Sequence, residues 1–375
     1  MHELAKRLTD RFDVTVLCPR AANAAREECL ERVRVLRYRY APGRWATLVN
    51  DGGILANLRQ HPWKWLLVPS FITCQWIALF KLKLRWRPDV VHAHWLIPQG
   101  VIGAWAGVTP FVVTSHGADL FALQGKLFKW LRAKVVERAA AVTVVSDAMR
   151  QRLQSECPGT QVLTMPMGVD MDERFGVSTQ DLGSTHTLLF VGRLVEKKGL
   201  IYLIEAMPEI VASHPGARLD IVGFGPEGDR LKDRVKHLGL DSSVRFVGAV
   251  PQSDLPGYYR SATAFVAPFV QASGGDQEGL GLVVAEAIGC QCPVIVGDVP
   301  AVHDLIGDVQ ECIVPQRDSP ALAKAIIRVL DDPESARQQA VALRASIYER
   351  FSWTSVAKGY AELFSSLTIE GSRSA

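Results

Sequence analysis

The chain has 375 residues, 48% of them apolar, and a formal net charge of +3. This length exceeds what one ordinary hydrophobic core holds and predicts two domains. Seven cysteines without metal-ligand spacing argue against a zinc site and a disulfide-stabilised secreted fold, and favour a reducing, cytoplasmic compartment. The most apolar window, 66–80, is interrupted by Pro69 and Gln75, so we expect no bilayer-crossing segment and no signal peptide.

Short apolar runs alternate with helical patterns along the chain. Strands are predicted in the first half at 13–17, 89–92, 111–114 and 141–145, and in the second half near 187–191, 218–222, 244–247, 264–267, 294–296 and 312–314. This alternation is typical of parallel sheets covered by helices on both faces. We expect an α/β protein with an N-terminal domain at 1–172, a polar linker at 173–186 and a C-terminal domain at 187–351.

The segment 32–88 is strongly basic and rich in tryptophan, with eleven Lys or Arg residues and one acid between Glu31 and Asp89. Interleaved cations and aromatic residues are typical of a surface that lies on an anionic membrane. The alternative, a core of Trp residues with a solvated basic rim, stays open. The residues concerned are Trp45, Trp63, Trp65, Trp76 and Trp86, with Arg59, Lys64, Lys81, Lys83, Arg85 and Arg87.

Two carboxylates lie eight residues apart at a predicted junction of a loop and a helix. Glu278 is in the loop and Glu286 on the short apolar helix that follows. An ionised carboxylate accepts hydrogen bonds from hydroxyl groups, so Glu286 is a candidate for holding a ribose diol and Glu278 for holding a transferred sugar. The helix N-terminus favours an anion; the N–H groups expected to point out of it are those of Gly279, Leu280 and Gly281.

At this stretch the sequence resembles a family 4 glycosyltransferase of the GT-B fold. The signature of that family is Glu, seven residues, Glu, followed by a small-residue turn into a strand, here 289–296. Residues 188–199 resemble its diphosphate clamp, 112–119 its sugar-facing loop, and 351–353 the start of its crossover helix. The four motifs occur in the right order and at the right spacing, which makes their combination specific.

The resemblance implies two Rossmann-like domains that face each other across a cleft, with 352–375 returning to complete the first. It also implies a retaining, metal-independent transfer of a sugar from a UDP- or GDP-sugar to an acceptor hydroxyl, without a cofactor. Together with the basic aromatic segment, it suggests a lipid-linked saccharide acceptor in cell-surface polysaccharide biosynthesis. The enzyme would then be peripheral on the inner face of the plasma membrane.

Cations that follow a strand end are candidates for holding the diphosphate. Arg193 and Lys198 follow a predicted strand that ends at Gly192, where α/β sheets place ligand-binding residues. Negative charge builds on the leaving diphosphate, and these cations stabilise it without a metal.

The remaining site residues are assigned by resemblance. His116 is expected to contact the donor sugar and Asp119 to reach the donor from the first domain. Asp119 could equally cap the following helix. The base is expected to lie near Gly223, Val250 and Leu282.

Three patterns suggest other chemistry and are set aside. The glycines of 223–228 are spaced as in a dinucleotide-binding loop, but no acid follows the next strand, so we assign this loop to the base side of the site. Asp170 and Asp172 lie near the linker rather than after a nucleotide-binding strand. His92 and His94 lack a visible third ligand, so we expect no metal.

One departure from the family concerns residues 1–8, which already resemble its first helix. The family's first strand and Gly-rich loop precede that helix and are absent from this sequence. We expect that the start of the protein lies further upstream. Two alternatives stay open: a GT-B-like sugar-nucleotide epimerase, which needs no acceptor, and a truncated, inactive form that binds nucleotide.

Overall fold

The computed structural model describes residues 1–21, 23–49, 53–108, 110–177, 186–307 and 309–373. The chain divides into two compact units. Unit 1 contains 1–144, 152–165 and 357–375, and unit 2 contains 145–151 and 166–356. Of the predicted linker 173–186, residues 178–185 lie outside the described part.

Unit 1 contains two sheets and the helices packed on them. In chain order its elements are α1 (His2–Leu8), β1 (Thr15–Pro19), β2 (Glu27–Leu30), β3 (Val33–Tyr38), α2 (Ile54–Gln60), α3 (Leu67–Trp86), β4 (Val91–His94), α4 (Val101–Ala106), β5 (Phe111–Ser115), α5 (Ala118–Phe121), α6 (Lys126–Arg138), β6 (Ala141–Val144), α7 (Asp147–Glu156), which continues from unit 2, and β7 (Val162–Thr164). The predicted strands are observed within about two residues, whereas β2, β3 and β7 were not predicted.

The strands of unit 1 form a three-stranded sheet of order β1-β3-β2 and a four-stranded parallel sheet of order β4-β5-β6-β7. In the first sheet, β1 pairs parallel and β2 antiparallel with β3. Helix α1 packs on this sheet through Ala5, which contacts a cluster containing Val33 and Val35. Among the described strands, β1 and β4 are each paired on one side only, so each sheet has an open edge there.

The C-terminal helix α15 (Trp353–Arg373) belongs to unit 1 from Ala357 onward. The hydroxyl of Tyr360 lies 3.3 Å from Oγ1 of Thr114 and 3.5 Å from Oγ1 of Thr143. Phe364 makes an edge contact with Phe12. The end of the chain is therefore held by strands β5 and β6 of the four-stranded sheet.

Unit 2 contains one six-stranded parallel sheet. Its elements are β8 (Thr187–Val191), α8 (Leu200–Ser213), β9 (Arg218–Val222), α9 (Gly228–His237), β10 (Val244–Gly248), α10 (Leu255–Ser261), β11 (Ala264–Ala267), α11 (Leu282–Gly289), β12 (Val294–Gly297), α12 (His303–Ile306), β13 (Ile313–Val314), α13 (Ser319–Asp331) and α14 (Pro333–Phe351). The predicted strands of this half are all observed, and the apolar runs of β8, β9, β11 and β12 are buried almost throughout, as in a sheet covered on both faces.

The strand order of unit 2 is β10-β9-β8-β11-β12-β13. The chain moves from β8 outward to β10 and then returns to the other side of β8 with β11. The loops that follow β8 and β11 therefore start side by side, at the point where the strand order reverses. Open α/β sheets bind ligands at this point.

The segment Pro62–Trp86, which includes α3, is longer and more apolar than the sequence window suggested. It spans 25 residues with a mean hydropathy of 1.4, and only 6% of its apolar window is buried. By length and composition alone this helical segment is sufficient to cross a membrane, which the window 66–80 did not indicate.

Candidate active site

The loops after β8 and β11 touch through a glycine. Gly199 has a φ of +65°, and a Cβ on it would lie 1.8 Å from the carbonyl oxygen of Pro268. The backbone of the first loop therefore lies directly against that of the second. Gly223, after β9, approaches the carbonyl of Gly192 in the same way. Three consecutive strand ends of the sheet are thus in direct backbone contact.

Glu278 and Lys198 form an ion pair across the two loops. Nζ of Lys198 lies 2.7 Å from Oε2 of Glu278, and the two side chains are 12% and 16% exposed. Burial alone would raise the pKa of Glu278, but Lys198, Lys197 and the N–H of Gly279 outweigh it and lower the pKa to about 2. The carboxylate is therefore ionised at neutral pH and held in one place.

Two neighbouring groups support this pair. The ammonium of Lys198 lies 4.6 Å above the ring of Phe269. Lys197 donates to the carboxylate of Asp276 and to the carbonyl of Gln277, both at 3.2 Å. The 3₁₀ turn that carries both lysines is therefore tied to the loop that carries Glu278.

Glu286 lies on α11 with a different environment. The hydroxyl of the fully buried Tyr259 donates to Oε2 of Glu286 at 3.0 Å. Burial raises the pKa of Glu286 to about 7, because it outweighs the hydrogen bond and the charge of Lys198. The two glutamates of the predicted signature therefore differ: Glu278 is fully ionised near neutrality, and Glu286 titrates there. Tyr259 was not predicted from the sequence, since it lies 27 residues upstream.

The N-terminus of α11 is preceded by a left-handed residue, Gly281, with a φ of +83°. In the described part of the chain, the N–H groups of Leu280 and Gly281 donate to no backbone carbonyl. Leu280 is buried and Leu282, the first residue of the helix, is 37% exposed. Unused N–H groups at a helix start favour an anion, and the binding of an anion at this point stays a prediction.

The loops after β8, β9 and β10 carry the remaining predicted residues of this half. Arg193 is exposed and follows Gly192 directly. The N–H of Gly223 donates to the carbonyl of Gly248 at 2.8 Å, which places the half-buried Val250 on the loop beside it. Phe224, which follows Gly223, is 53% exposed. An exposed aromatic ring here offers a stacking surface for a base, and sequence reasoning passed over it.

In unit 1, the predicted His116 lies at the end of β5 and is paired with a second histidine. Its Nε2 lies 3.0 Å from Nδ1 of His94, and the rings are stacked. Burial lowers the pKa of His116 to about 3 and also lowers that of His94. Both rings are therefore neutral at pH 7, and one donates its N–H to the other, so the tautomer of His116 is coupled to that of His94.

His92 has a separate partner. Its Nε2 lies 2.7 Å from Oγ1 of Thr114. No group of three or more His, Cys, Asp or Glu side chains arranged for a metal occurs among the described residues.

The two aspartates near the linker have hydrogen-bond partners of their own. The carboxylate of Asp170 accepts the N–H of Glu173 at 3.2 Å, and that of Asp172 accepts the hydroxyl of Tyr348.

Asp119 has a different position from the one expected. It is 2% exposed, and its carboxylate accepts the N–H of Leu96 at 2.6 Å, the hydroxyl of Ser115 at 2.8 Å and the N–H of His116 at 3.3 Å. Burial raises its pKa, against these hydrogen bonds. Its oxygens are engaged inside unit 1, and Gly117 rather than Asp119 is the N-cap of α5. These contacts favour a role in positioning His116, and the expected contact of Asp119 with the donor stays a prediction.

Two family models match this chain. One described as Glycosyltransferase Family 4 matches residues 1–173, and one described as Glycosyl transferases group 1 matches residues 178–344. A phosphatidyl-myo-inositol mannosyltransferase of Mycobacterium leprae is 31% identical over 76% of this chain and 75% of its own length. A GDP-mannose-dependent monoacylated alpha-(1-6)-phosphatidylinositol monomannoside mannosyltransferase of Corynebacterium glutamicum is 30% identical over 66% and 68%.

Solved structures share the fold. A sucrose-phosphate synthase from Thermosynechococcus elongatus superposes with a TM-score of 0.81 at 22% identity, covering 98% of this chain and 92% of that one. Alr3699/HepE of Anabaena, in complex with UDP and glucose, superposes with a TM-score of 0.70 at 18% identity, covering 97% and 94%. The predicted GT-B fold is confirmed.

Proposed function

This chain belongs to family 4 of the glycosyltransferases, and from that membership we propose that it moves a sugar from a nucleoside-diphosphate sugar to a hydroxyl of a lipid-linked saccharide, with retention at the anomeric carbon and without a metal. The observation that carries the proposal is the Glu278–Lys198 pair beside the start of α11, at the reversal of strand order in unit 2. Such a site supplies fixed positive charge for a phosphate and a fixed carboxylate for sugar hydroxyls.

In the proposed site, Lys198 and Arg193 bind the diphosphate together with the N–H groups of Gly279, Leu280 and Gly281. Negative charge increases on the diphosphate as the bond to the anomeric carbon breaks. Cations and amides that are already in place stabilise this charge without reorganisation. Glu278 accepts hydrogen bonds from the transferred sugar and orients its anomeric carbon.

Glu286 is proposed to accept the ribose hydroxyls, with the base near Val250, Leu282 and Phe224. His116 is proposed to hydrogen-bond the sugar or the acceptor as a neutral imidazole. A ring with a pKa of about 3 is a poor proton acceptor at pH 7, so we assign no general base to it. In the proposed retaining transfer, the bond from the anomeric carbon to the diphosphate breaks, the acceptor oxygen bonds to the anomeric carbon on the same face, and the acceptor proton passes to the leaving phosphate oxygen.

The acceptor proposal is supported by the relatives and by the surface of unit 1. The M. leprae and C. glutamicum relatives are named for phosphatidylinositol acceptors. The basic segment 32–88 supports a peripheral position on an anionic membrane, on its cytoplasmic face. We propose cell-surface polysaccharide or glycolipid biosynthesis as the context.

The testing experiment measures nucleotide release from UDP- and GDP-sugars, GDP-mannose first, with and without membrane lipid extract. Release that requires the extract, and that is lost in Glu278→Gln but kept in the exposed control Glu209→Gln, supports transfer. Turnover of the donor without any acceptor would favour the epimerase instead. Activity in EDTA and the anomeric configuration of the product by NMR test metal independence and retention.

A further inference from the structure

Helix α3 exposes apolar side chains toward its C-terminal end, which we call the α3 stripe. Its members lie one to four residues apart and are Trp76, Ile77, Phe80 and Leu84; Leu66, just before the helix, is exposed as well. Leu66 is 81% and Leu84 is 65% exposed, and Trp76 stacks on Phe80. An apolar stripe normally faces the core of a protein. Here it faces outward, and a stripe of this size calls for a partner.

The opposite face of α3 is held by unit 1. Phe71 is 1% exposed, and Oε1 of the buried Gln75 accepts the hydroxyl of Tyr38 at 3.1 Å. Phe71 also makes edge contacts with Tyr38 and Tyr40. Because one side of α3 packs on unit 1, lipid cannot contact the helix on all sides. Its length would allow a crossing, but its packing favours a position flat on a surface.

A second exposed apolar group lies on α4 and α6, outside the segment 32–88. It consists of Trp105, Trp130 and Leu127, which we call the α4/α6 patch. Trp105 and Trp130 are 42% and 52% exposed, and their rings are 6.5 Å apart. The guanidinium of Arg138 lies 4.7 Å over Trp105. Sequence reasoning did not identify this group, because its members come from two separate helices.

The stripe and the patch belong to one group of helices. Helix α4 packs against both α3 and α6. Lys83 of α3 donates to the carbonyl of Ala106, at the end of α4, at 3.3 Å, and also to that of Gly107. Trp105 directly precedes Ala106, so the end of α4 that carries it lies beside the last turn of α3. Helix α4 thus connects the helix of the stripe with α6, which carries the rest of the patch.

The charge of these helices is almost entirely positive. Neither α3 nor α4 contains an acid, and the acid of α6, Glu137, is paired with Lys134. The exposed cations are Lys81, Arg85, Arg87, Lys126, Lys129 and Arg138. Two of the residues first assigned to this face do not belong to it, because Lys64 is buried and Trp86 is half-buried beneath Arg34. The side chain of Arg59 lies outside the described residues.

We propose that the α3 stripe and the α4/α6 patch together form one surface that lies on an anionic bilayer, with α3 in the plane of the interface. Trp side chains and cations combine apolar burial with attraction to anionic headgroups, which is the chemistry this surface offers. The inference rests on the proposed function for its biological context. It adds the residues that make the contact and the orientation in which unit 1 meets the membrane.

The test is flotation of the full chain with vesicles of phosphatidylcholine alone and of phosphatidylcholine with phosphatidylglycerol. Wild type should float with the anionic vesicles. Trp105→Ser/Trp130→Ser and Leu84→Ser should each lose at least tenfold in binding. Val341→Ser, which replaces a 44% exposed residue of α14 in unit 2, should bind as wild type.

The charge contribution is tested with Lys126→Glu/Lys129→Glu, which should reduce binding to the anionic vesicles, against the exposed control Lys324→Glu. Binding of the double Trp variant equal to wild type, or equal binding of wild type to both vesicle types, would overturn the proposal. A chain that stays in vesicles through alkaline carbonate extraction would show that α3 crosses the bilayer rather than lying on it. Circular dichroism of each variant confirms folding.

Vesicle binding is separate from sugar transfer. Loss of donor turnover in Glu278→Gln with vesicle binding intact tests the proposed function alone. Conversely, a wild-type chain that transfers sugar in detergent micelles but does not float with vesicles would refute the membrane surface and leave the transferase function standing.

Discussion

Replacing Lys198 by Met removes one partner of the Glu278–Lys198 pair and keeps most of the side-chain volume. Glu278 then stays half-buried with only Lys197 and the N–H of Gly279 to favour its charge. Because burial favours the protonated acid, the pKa of Glu278 should rise above 4.5 in this variant. Unit 2 should become less stable, and the site should lose both its positive charge and its fixed carboxylate.

The magnitude follows from the pKa of Glu278. A value of about 2 against the ordinary 4.5 corresponds to roughly 3 kcal/mol of stabilisation at neutral pH, at about 1.36 kcal/mol per pKa unit. Because the folded-state pKa is the lower one, this contribution is fully present above about pH 4.5 and is lost as the pH falls through about 2. Near pH 3 roughly half of it should remain by the same linkage.

The assay is hydrogen exchange of peptides from β8 and α11, which report the opening of unit 2 alone. Eight of the nine Trp residues belong to unit 1, so intrinsic fluorescence would report mainly the other unit. A double-mutant cycle compares the wild type with Glu278→Gln, Lys198→Met and the double variant. At pH 7 we expect each single change to cost about 2–4 kcal/mol and the double change about 2–3 kcal/mol less than their sum.

Additive losses in the cycle would mean that the two side chains do not interact in the folded protein, and the assignment of the pair would be wrong. A loss at pH 3 equal to that at pH 7 would contradict the low pKa. The same variants measure function: if Lys198 stabilises the leaving diphosphate, Lys198→Met should lower kcat by about two to three orders of magnitude. An unchanged kcat would remove Lys198 from the diphosphate site.

Three further predictions concern other parts of the site. With a pKa of about 7, Glu286 should be about ten times less ionised at pH 6 than at pH 8. The KM for the donor should therefore rise about tenfold between pH 8 and pH 6 in the wild type and stay constant in Glu286→Gln. A wild-type KM that does not change with pH would contradict this role. Gly199→Ala and Gly239→Ala place Cβ at similar positive φ, but only the first meets a carbonyl, at 1.8 Å. Measured by differential scanning fluorimetry, Gly239→Ala should lower the free energy of unfolding by about 1 kcal/mol, and Gly199→Ala should lower it clearly more. Nucleotide titration should show a loss of affinity in Gly199→Ala only. Equal effects of the two substitutions would refute the close contact. His94→Phe should lower kcat about tenfold and add little to His116→Ala, since it acts through that ring; additive losses would refute the pairing.

Local sequence was enough to predict the sheet of unit 2. Its strands are short apolar runs, as in Leu188–Val191, and burial on both faces of a parallel sheet selects such runs independently of what they pair with. The turn residues between them then determine where ligand-binding loops begin. For the same reason Glu278, Lys198 and the start of α11 could be predicted as site residues.

Strands β2 and β3 were missed because their pattern is mixed. Glu27–Leu30 is largely exposed, and Val33–Tyr38 mixes three buried residues with two arginines and a leucine that are exposed or half-buried. Two such strands are stabilised by their cross-strand partners rather than by their own hydrophobicity. A short-range pattern does not encode these partners.

The sequence by itself determined the family, the parallel strands of unit 2 and the residue types that we propose bind a diphosphate sugar, because each is recorded in local spacing. Only the tertiary structure decided that Asp119 is consumed by internal hydrogen bonds, that His94 pairs with His116, that Lys64 is buried and that Trp105 lies beside Trp130. Each of these depends on which distant segments pack together. A side chain's type sets what it is able to bind, but its neighbours in space set its charge, its exposure and its partner.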